Sequence, residues 1–204
     1  MNFLKAETEV GDKKVEVTKP TVEEAEEAVR TLLKWAGDNP SREGLLDTPS
    51  RVARAYKEWF AGYSQDPEKI LERTFEEVEG YSEMVTLKHI RFESFCEHHL
   101  APIIGHVHVS YIPQGRVVGI SKIARLVDAF SKRLQVQEKM TSQIANTLQR
   151  TLKPLGAAVL VEGDHHCMCT RGVHKTSSTM VSSAFTGVFL TKQKFKDEFY
   201  KTIR

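Results

Sequence analysis

The sequence predicts an α+β fold on three observations: helical periodicity through the first third, period-two alternation beyond residue 80, and two helical stretches between pairs of strands. At 204 residues the chain can bury one full hydrophobic core with an appendage, without disulfides or a metal to hold it together. Residues 1–20 are charged and aperiodic, end in Thr-Lys-Pro and read as a mobile arm. Residues 21–80 form the expected helical region. Thr21 and Glu24 make a capping-box pattern, followed by Val22, Ala25, Val29, Leu32, Leu33 and Ala36 at helical spacing, and Gly37-Asp38-Asn39-Pro40 stops the helix. Thr48 reads as an N-cap with Pro49 at the first helical position, ahead of Val52, Ala53, Tyr56, Trp59 and Phe60 on one face.

The second region, residues 81–204, opens with Val85, Leu87, Ile90 and Phe92, an alternation that slips once and predicts a bulge near Lys88-His89. Val107, Val109 and Tyr111 alternate with His106, His108 and Ser110. Pro113-Gln114-Gly115 then predicts a hairpin into Val117, Val118 and Ile120. Ser121 is the expected cap of a helix through Ile123, Leu126, Val127, Phe130 and Leu134. A second helix runs from about Gln137 through Met140, Ile144 and Leu148 to Pro154-Leu155-Gly156. Strands near Ala157–Glu162 and Val181–Leu190 follow, then an amphipathic segment from Lys194 to Ile203. The order is strand, strand, helix, helix, strand, strand, with no internal repeat.

Composition narrows the function classes. A net charge of +2 and a pI near 8.4 are too mild to point to nucleic acid, whose binders usually concentrate Lys and Arg into a stripe, and no nucleic-acid partner is expected. No apolar run is long enough for a membrane span. Three cysteines, an odd number, and no apolar run after Met1 lead to an expected cytoplasmic, reducing location.

Cys96-Glu97-His98-His99 follows the first strand of this region, and His165-His166-Cys167-Met168-Cys169 follows the third. Zinc takes thiolate and imidazole donors, and a Cys-x-x-His pair brings two of them to one ion across a tight turn, with Cys167 able to supply a third. Three protein donors leave a fourth position for water, whose pKa falls from about 15.7 to about 7 on zinc. Cys169 lies two residues past Cys167, so in an extended segment it would share that face and could close a structural site instead. His166 would face away. His89, His106, His108 and His174 suit ordinary polar or packing roles.

Ser121-Lys122 at a strand-to-helix junction offers free N–H groups and a positive dipole end to an anion, with Arg125 one turn on. A capped helix with a solvated basic face explains the same residues. Arg171, directly after the second Cys/His cluster, favours a polyphosphate, held without a P-loop motif. Glu138 lies off the apolar stripe of its helix, which by itself marks only a solvated charge.

Four ordered motifs, Cys-Glu-His-His-Leu-Ala-Pro from Cys96, Gly-Ile-Ser-Lys-Ile-Ala-Arg from Gly119, Gln-Val-Gln-Glu-Lys from Gln135 and His-x-Cys-Met-x-x-Arg-Gly from His165, closely resemble GTP cyclohydrolase type I. The similarity runs from about Thr21 to the C-terminus and includes Asp47-Thr-Pro-Ser-Arg51-Val52. It implies a tunnelling fold, ββααββ with two helices on one face of an antiparallel sheet. It also implies a homodecamer of two pentameric rings with active sites between subunits. By resemblance, Cys96, His99 and Cys167 hold Zn2+, and His98 and His165 transfer protons. Ser121, Lys122, Arg125 and Arg171 would bind the triphosphate of GTP, with Arg51 of another subunit a further contributor, while Gln137 and Glu138 hold guanine. The implied reaction adds zinc-activated water at guanine C8, releases formate, and gives 7,8-dihydroneopterin triphosphate, the first step of pterin and tetrahydrofolate biosynthesis. Cys169 and Thr170 depart from the family pattern. Two rivals remain at this point: a nitrile reductase relative using NADPH and a nucleophilic cysteine, and a zinc-stabilised binding module with Cys169 as fourth ligand.

Overall fold

The computed structural model of the protein describes residues 6–10, 13–75 and 83–204. Two compact units, Met1–Glu58 and Trp59–Arg204, make up the chain.

In the first unit, β1 (Ala6–Val10) and β2 (Lys13–Val17) pair antiparallel within the region expected as an arm, and the remaining arm residues 1–5, 11 and 12 lie outside the described residues. The expected boundary at residues 80 and 81 is also outside them. Helix α1 (Val22–Trp35) carries the full capping box, with Thr21 accepting from the Glu24 N–H and Glu24 accepting from the Thr21 N–H at 2.7 Å. Helix α2 (Thr48–Trp59) takes Thr48 as its first helical residue rather than as its cap, because the Asp47 carbonyl already accepts from the Arg51 N–H.

The second unit is built on a five-stranded sheet of order β7-β4-β5-β8-β9. Its strands are β4 (Val85–Cys96), β5 (Pro102–Ile112), β7 (Leu134–Gln135), β8 (Gly156–His165) and β9 (Thr179–Phe185). Only β7 runs parallel to its neighbour; the other pairings are antiparallel. The mixed, largely antiparallel architecture is the α+β class read from the sequence. The bulge is where the alternation placed it: the β4–β5 register shifts between Leu87 and Ile90, and His89 has φ 57°.

The hairpin from β5 into residues 117–120 does not form. Both edges of β5 are occupied along its length by β4 and β8, so β6 (Val117–Val118) pairs instead with β3 (Thr74–Phe75), which follows the short helix α3 (Pro67–Leu71). Helix α4 (Ile120–Ser131) starts one residue before the expected cap, with Gly119 at the N-cap, so Ser121 lies inside the first turn. Leu134 leaves the helix altogether and pairs with Phe95 through β7.

Helices α4 and α5 (Gln137–Leu152) cover one sheet face. Ile123, Leu126, Val127, Met140, Ile144 and Leu148 pack there with Phe92, Val107, Val109, Val159 and Val161. Fully burying side chains of this size stabilises by about 1.5–3 kcal/mol each. After α6 (His166–Cys169), the last expected strand ends at Phe185 rather than Leu190. Gly187, at φ 53°, turns the chain so close to Leu155 that a Cβ would lie 2.1 Å from its carbonyl oxygen. The chain continues as α7 (Val188–Thr191) and the expected amphipathic helix α8 (Gln193–Ile203), whose Phe199 packs with Phe189 on Ala158, Leu160 and Ile112. No helix among the described residues is long and apolar enough to cross a membrane.

Candidate active site

Cys96 ends β4, and residues 97–101 turn the chain into β5. The Leu100 N–H donates to the Cys96 carbonyl at 2.8 Å, and Leu100 takes φ 54°, so His99 is folded back toward Cys96. Across β5, the register pairs Ile103 with His165, which carries the end of β8 and the turn of α6 to the same end of the sheet. The donors of Cys96, His99 and Cys167 consequently all lie within 4.8 Å of one another. The Cys96 Sγ to His99 Nδ1 separation is 4.0 Å. Sulfur and nitrogen bound at about 2.3 and 2.0 Å to one tetrahedral zinc would be about 3.6 Å apart, so a small inward movement suffices. Burial raises the Cys167 thiol pKa and the neighbouring Cys96 adds to it, against the pull of Arg171. Two thiols crowded in this way fit a divalent cation, which would favour both thiolates.

Cys169 is not part of this donor group among the described residues. The helical turn of α6 replaces the extended segment assumed from sequence, and the Cys169 thiol donates to the Lys175 carbonyl at 3.5 Å.

His98 is exposed, with Nδ1 3.7 Å from Cys96 Sγ and Nε2 4.0 Å from Glu97 Oε1. Arg171 places Nη1 3.3 Å from His99 Nε2. His165 is half-buried on the helix-covered face; burial lowers its pKa, opposed by the negative charges of Glu138 and Asp164. Its Nε2 lies 2.9 Å from Gln137 Oε1. Gln137 itself is 1% exposed, and its amide nitrogen is within 3.2 Å of the Val161 and Met180 carbonyls and of Ser182 Oγ. Its donors therefore face into the protein. Glu138, one residue on, is exposed.

The basic trio lies elsewhere in the same chain. The C-terminal end of α4 adjoins the metal donors, because β7 follows it and pairs Gln135 with Cys96. Its N-terminal end is at the opposite end of the sheet, where the Val118 N–H donates to the Tyr111 hydroxyl and Tyr111 is registered with Val85. Eleven residues of β5 separate the two ends, roughly 30 Å of strand. Ser121 and Lys122 lie in the first turn of α4, whose start is at the Tyr111 end of the sheet, and Arg125 lies one turn further along the helix. Arg51 lies in the first unit, exposed and paired with Asp47 Oδ2 at 3.1 Å.

Sequence reasoning missed Ser182 and Thr141, hydroxyls with no motif around them. Gly163 did carry a signal, an isolated glycine inside a strand, which marks a close approach. A Cβ there would lie 2.6 Å from Gln137 Oε1.

A match to the family described as GTP cyclohydrolase I spans residues 25–204. The GTP cyclohydrolase 1 of Maricaulis maris (strain MCS10) is 58% identical over 186 residues, covering 91% of each chain. That of Brucella anthropi is 56% identical over 191 residues, covering 91% of this chain and 90% of its own. Among solved structures, the apo form of the archaeosine synthase QueF-Like aligns with a TM-score of 0.42 at 23% identity, over 51% of this chain and 93% of its own.

Proposed function

The chain belongs to the GTP cyclohydrolase I family, and on that premise we propose how its residues convert GTP and water into formate and 7,8-dihydroneopterin triphosphate. The observation that carries the assignment to this site is the convergence of Cys96, His99 and Cys167, with His165 beside them.

These three residues hold Zn2+. When bound, zinc would supply Lewis acidity that activates water near neutral pH. His98 and His165 exchange protons with the purine during ring opening, a task suited to imidazole with its ordinary pKa of about 6.5. Glu138 accepts hydrogen bonds from the guanine edge, its carboxylate matching two adjacent N–H donors. Arg171, whose Nη1 lies 3.3 Å from His99 Nε2, reaches the triphosphate beside the metal donors.

Ser121, Lys122 and Arg125 bind the triphosphate from another copy of the chain. The start of α4 at the Tyr111 end of the sheet, away from Cys96, supports this reading. The full assembly is a homodecamer of two pentameric rings, with each sheet of the tunnelling type and active sites between subunits, Arg51 included. Free thiol donors suit a reducing, cytoplasmic setting.

The competing structural-zinc reading needs a fourth protein donor, and the Cys169 bond to Lys175 disfavours that residue. Incubation of the purified protein with GTP tests the proposal. Formate and a product fluorescent as a pterin after oxidation are expected, both suppressed by a chelator and restored by zinc. Zinc-loaded protein that leaves GTP intact would sink it.

A further inference from the structure

Gln137 is the first residue of α5, yet its side chain is buried beneath β8 and β9 and is held at every polar atom. The Val161 and Met180 carbonyls, at 3.2 and 3.0 Å, can only accept, so the amide nitrogen must face them. Reversing the amide would set oxygen against oxygen. The amide oxygen consequently faces His165 Nε2 at 2.9 Å. Because that oxygen can only accept, the Nε2 nitrogen must carry hydrogen.

The hydroxyls behind the amide are ordered in the same way. Thr141 Oγ1 donates to the Gln137 main-chain carbonyl at 2.7 Å, which leaves its oxygen to accept from Ser182 at 2.7 Å. Ser182 Oγ in turn accepts from the Gln137 amide at 3.1 Å. A closed ring of directed hydrogen bonds therefore locks the carboxamide, and Gly163 leaves the space that Oε1 occupies. Nδ1 of His165 has no hydrogen-bond partner among the described residues.

We propose that Gln137, locked by Ser182 and Thr141, is a positioning residue that holds His165 as the Nε2–H tautomer and leaves Nδ1 as its basic nitrogen, rather than a residue that grips the purine. This rests on His165 exchanging protons in the reaction proposed above. Gln137 acts only through the imidazole: it orients the ring and fixes which nitrogen has a free lone pair, without touching GTP.

Two measurements test it. The 15N spectrum of histidine-labelled, zinc-loaded protein without substrate, with His165 assigned by its loss in His165→Gln, should show hydrogen on Nε2. Hydrogen on Nδ1 overturns the proposal, and this readout needs neither turnover nor a variant at Gln137. In steady-state assays, Gln137→Ala should lower kcat by roughly 10- to 100-fold, the usual cost of losing such a supporting partner. The KM for GTP should stay within about threefold, because ground-state binding is untouched. Ser182→Ala should cause a smaller loss in the same direction. A raised KM at unchanged kcat in Gln137→Ala would mark a purine contact and overturn the proposal. Failure of the unaltered protein to release formate would instead count against the reaction assigned to the site, leaving the tautomer result to stand alone.

Discussion

The two ends of the sheet are built differently. At the end holding Cys96, His165 and Cys167, functional side chains are set by strand register, a left-handed turn and a ring of directed hydrogen bonds. At the other end, Ser121, Lys122 and Arg125 sit on the first turns of α4, partly or fully exposed and without a side-chain hydrogen bond among the described residues. Proton transfer and metal binding need donors fixed within fractions of an ångström, whereas a triphosphate carries several charges and tolerates flexible cationic arms.

The largest effect should come from the rigid end. Cys167→Ala should lose zinc and lower formate release by roughly 10⁴-fold or more, since activated water is lost with the metal. Retained metal with full activity, measured by elemental analysis and formate assay, would remove Cys167 from the centre. Next, mixing unfolded Cys167→Ala and Lys122→Ala chains in equal amounts and refolding them together should restore about a quarter of normal turnover, if each site takes one end from each of two copies. No recovery would mean that both ends come from one chain. On its own, Lys122→Ala should weaken GTP binding by roughly 10- to 150-fold, the equivalent of about 1.5–3 kcal/mol for a charge-assisted hydrogen bond. The loss should shrink in high salt, and an unchanged KM would clear the residue of phosphate binding.

The smallest effect concerns the middle of the sheet, which belongs to neither end. His108 is buried, and burial lowers its pKa, with His89 and His106 adding to the shift and Glu162, 3.5 Å away, opposing it. A depressed histidine pKa favours the neutral folded form. Stability from this source is present above the ordinary pKa of about 6.5 and declines as pH falls below it, because the unfolded chain takes the proton first. His108→Gln should flatten the fall in Tm between neutral and mildly acidic pH by about a few degrees. An unaltered slope would place the acid sensitivity elsewhere.

The grouping of Cys96, His99 and Cys167 was legible because Cys-x-x-His and the Cys167 cluster are local patterns, and their donor chemistry does not depend on which strands pair. The helices were legible for a similar reason: the Thr21–Glu24 box and the apolar stripes of α4 and α5 are short-range signals. What could not be read was pairing at a distance. Pro113-Gln114-Gly115 announces a turn equally well for a hairpin and for a chain leaving the sheet, and only the occupied edges of β5 decide between them. Gln137 was equally opaque. It follows a strand of two residues, and its burial depends on hydroxyls and carbonyls 24 to 45 positions away. Sequence spacing likewise gave no hint that α4 starts at the end of the sheet away from Cys96.

The place of β9 at the margin of the sheet has a consequence of its own. Its only strand partner among the described residues is β8, so one row of its main-chain amides and carbonyls is open for a second chain to zip onto. A solitary copy would carry a template for unwanted fibrous stacking, and association would shield it. If copies of the chain pair along this edge, dilution should shorten the folded lifetime.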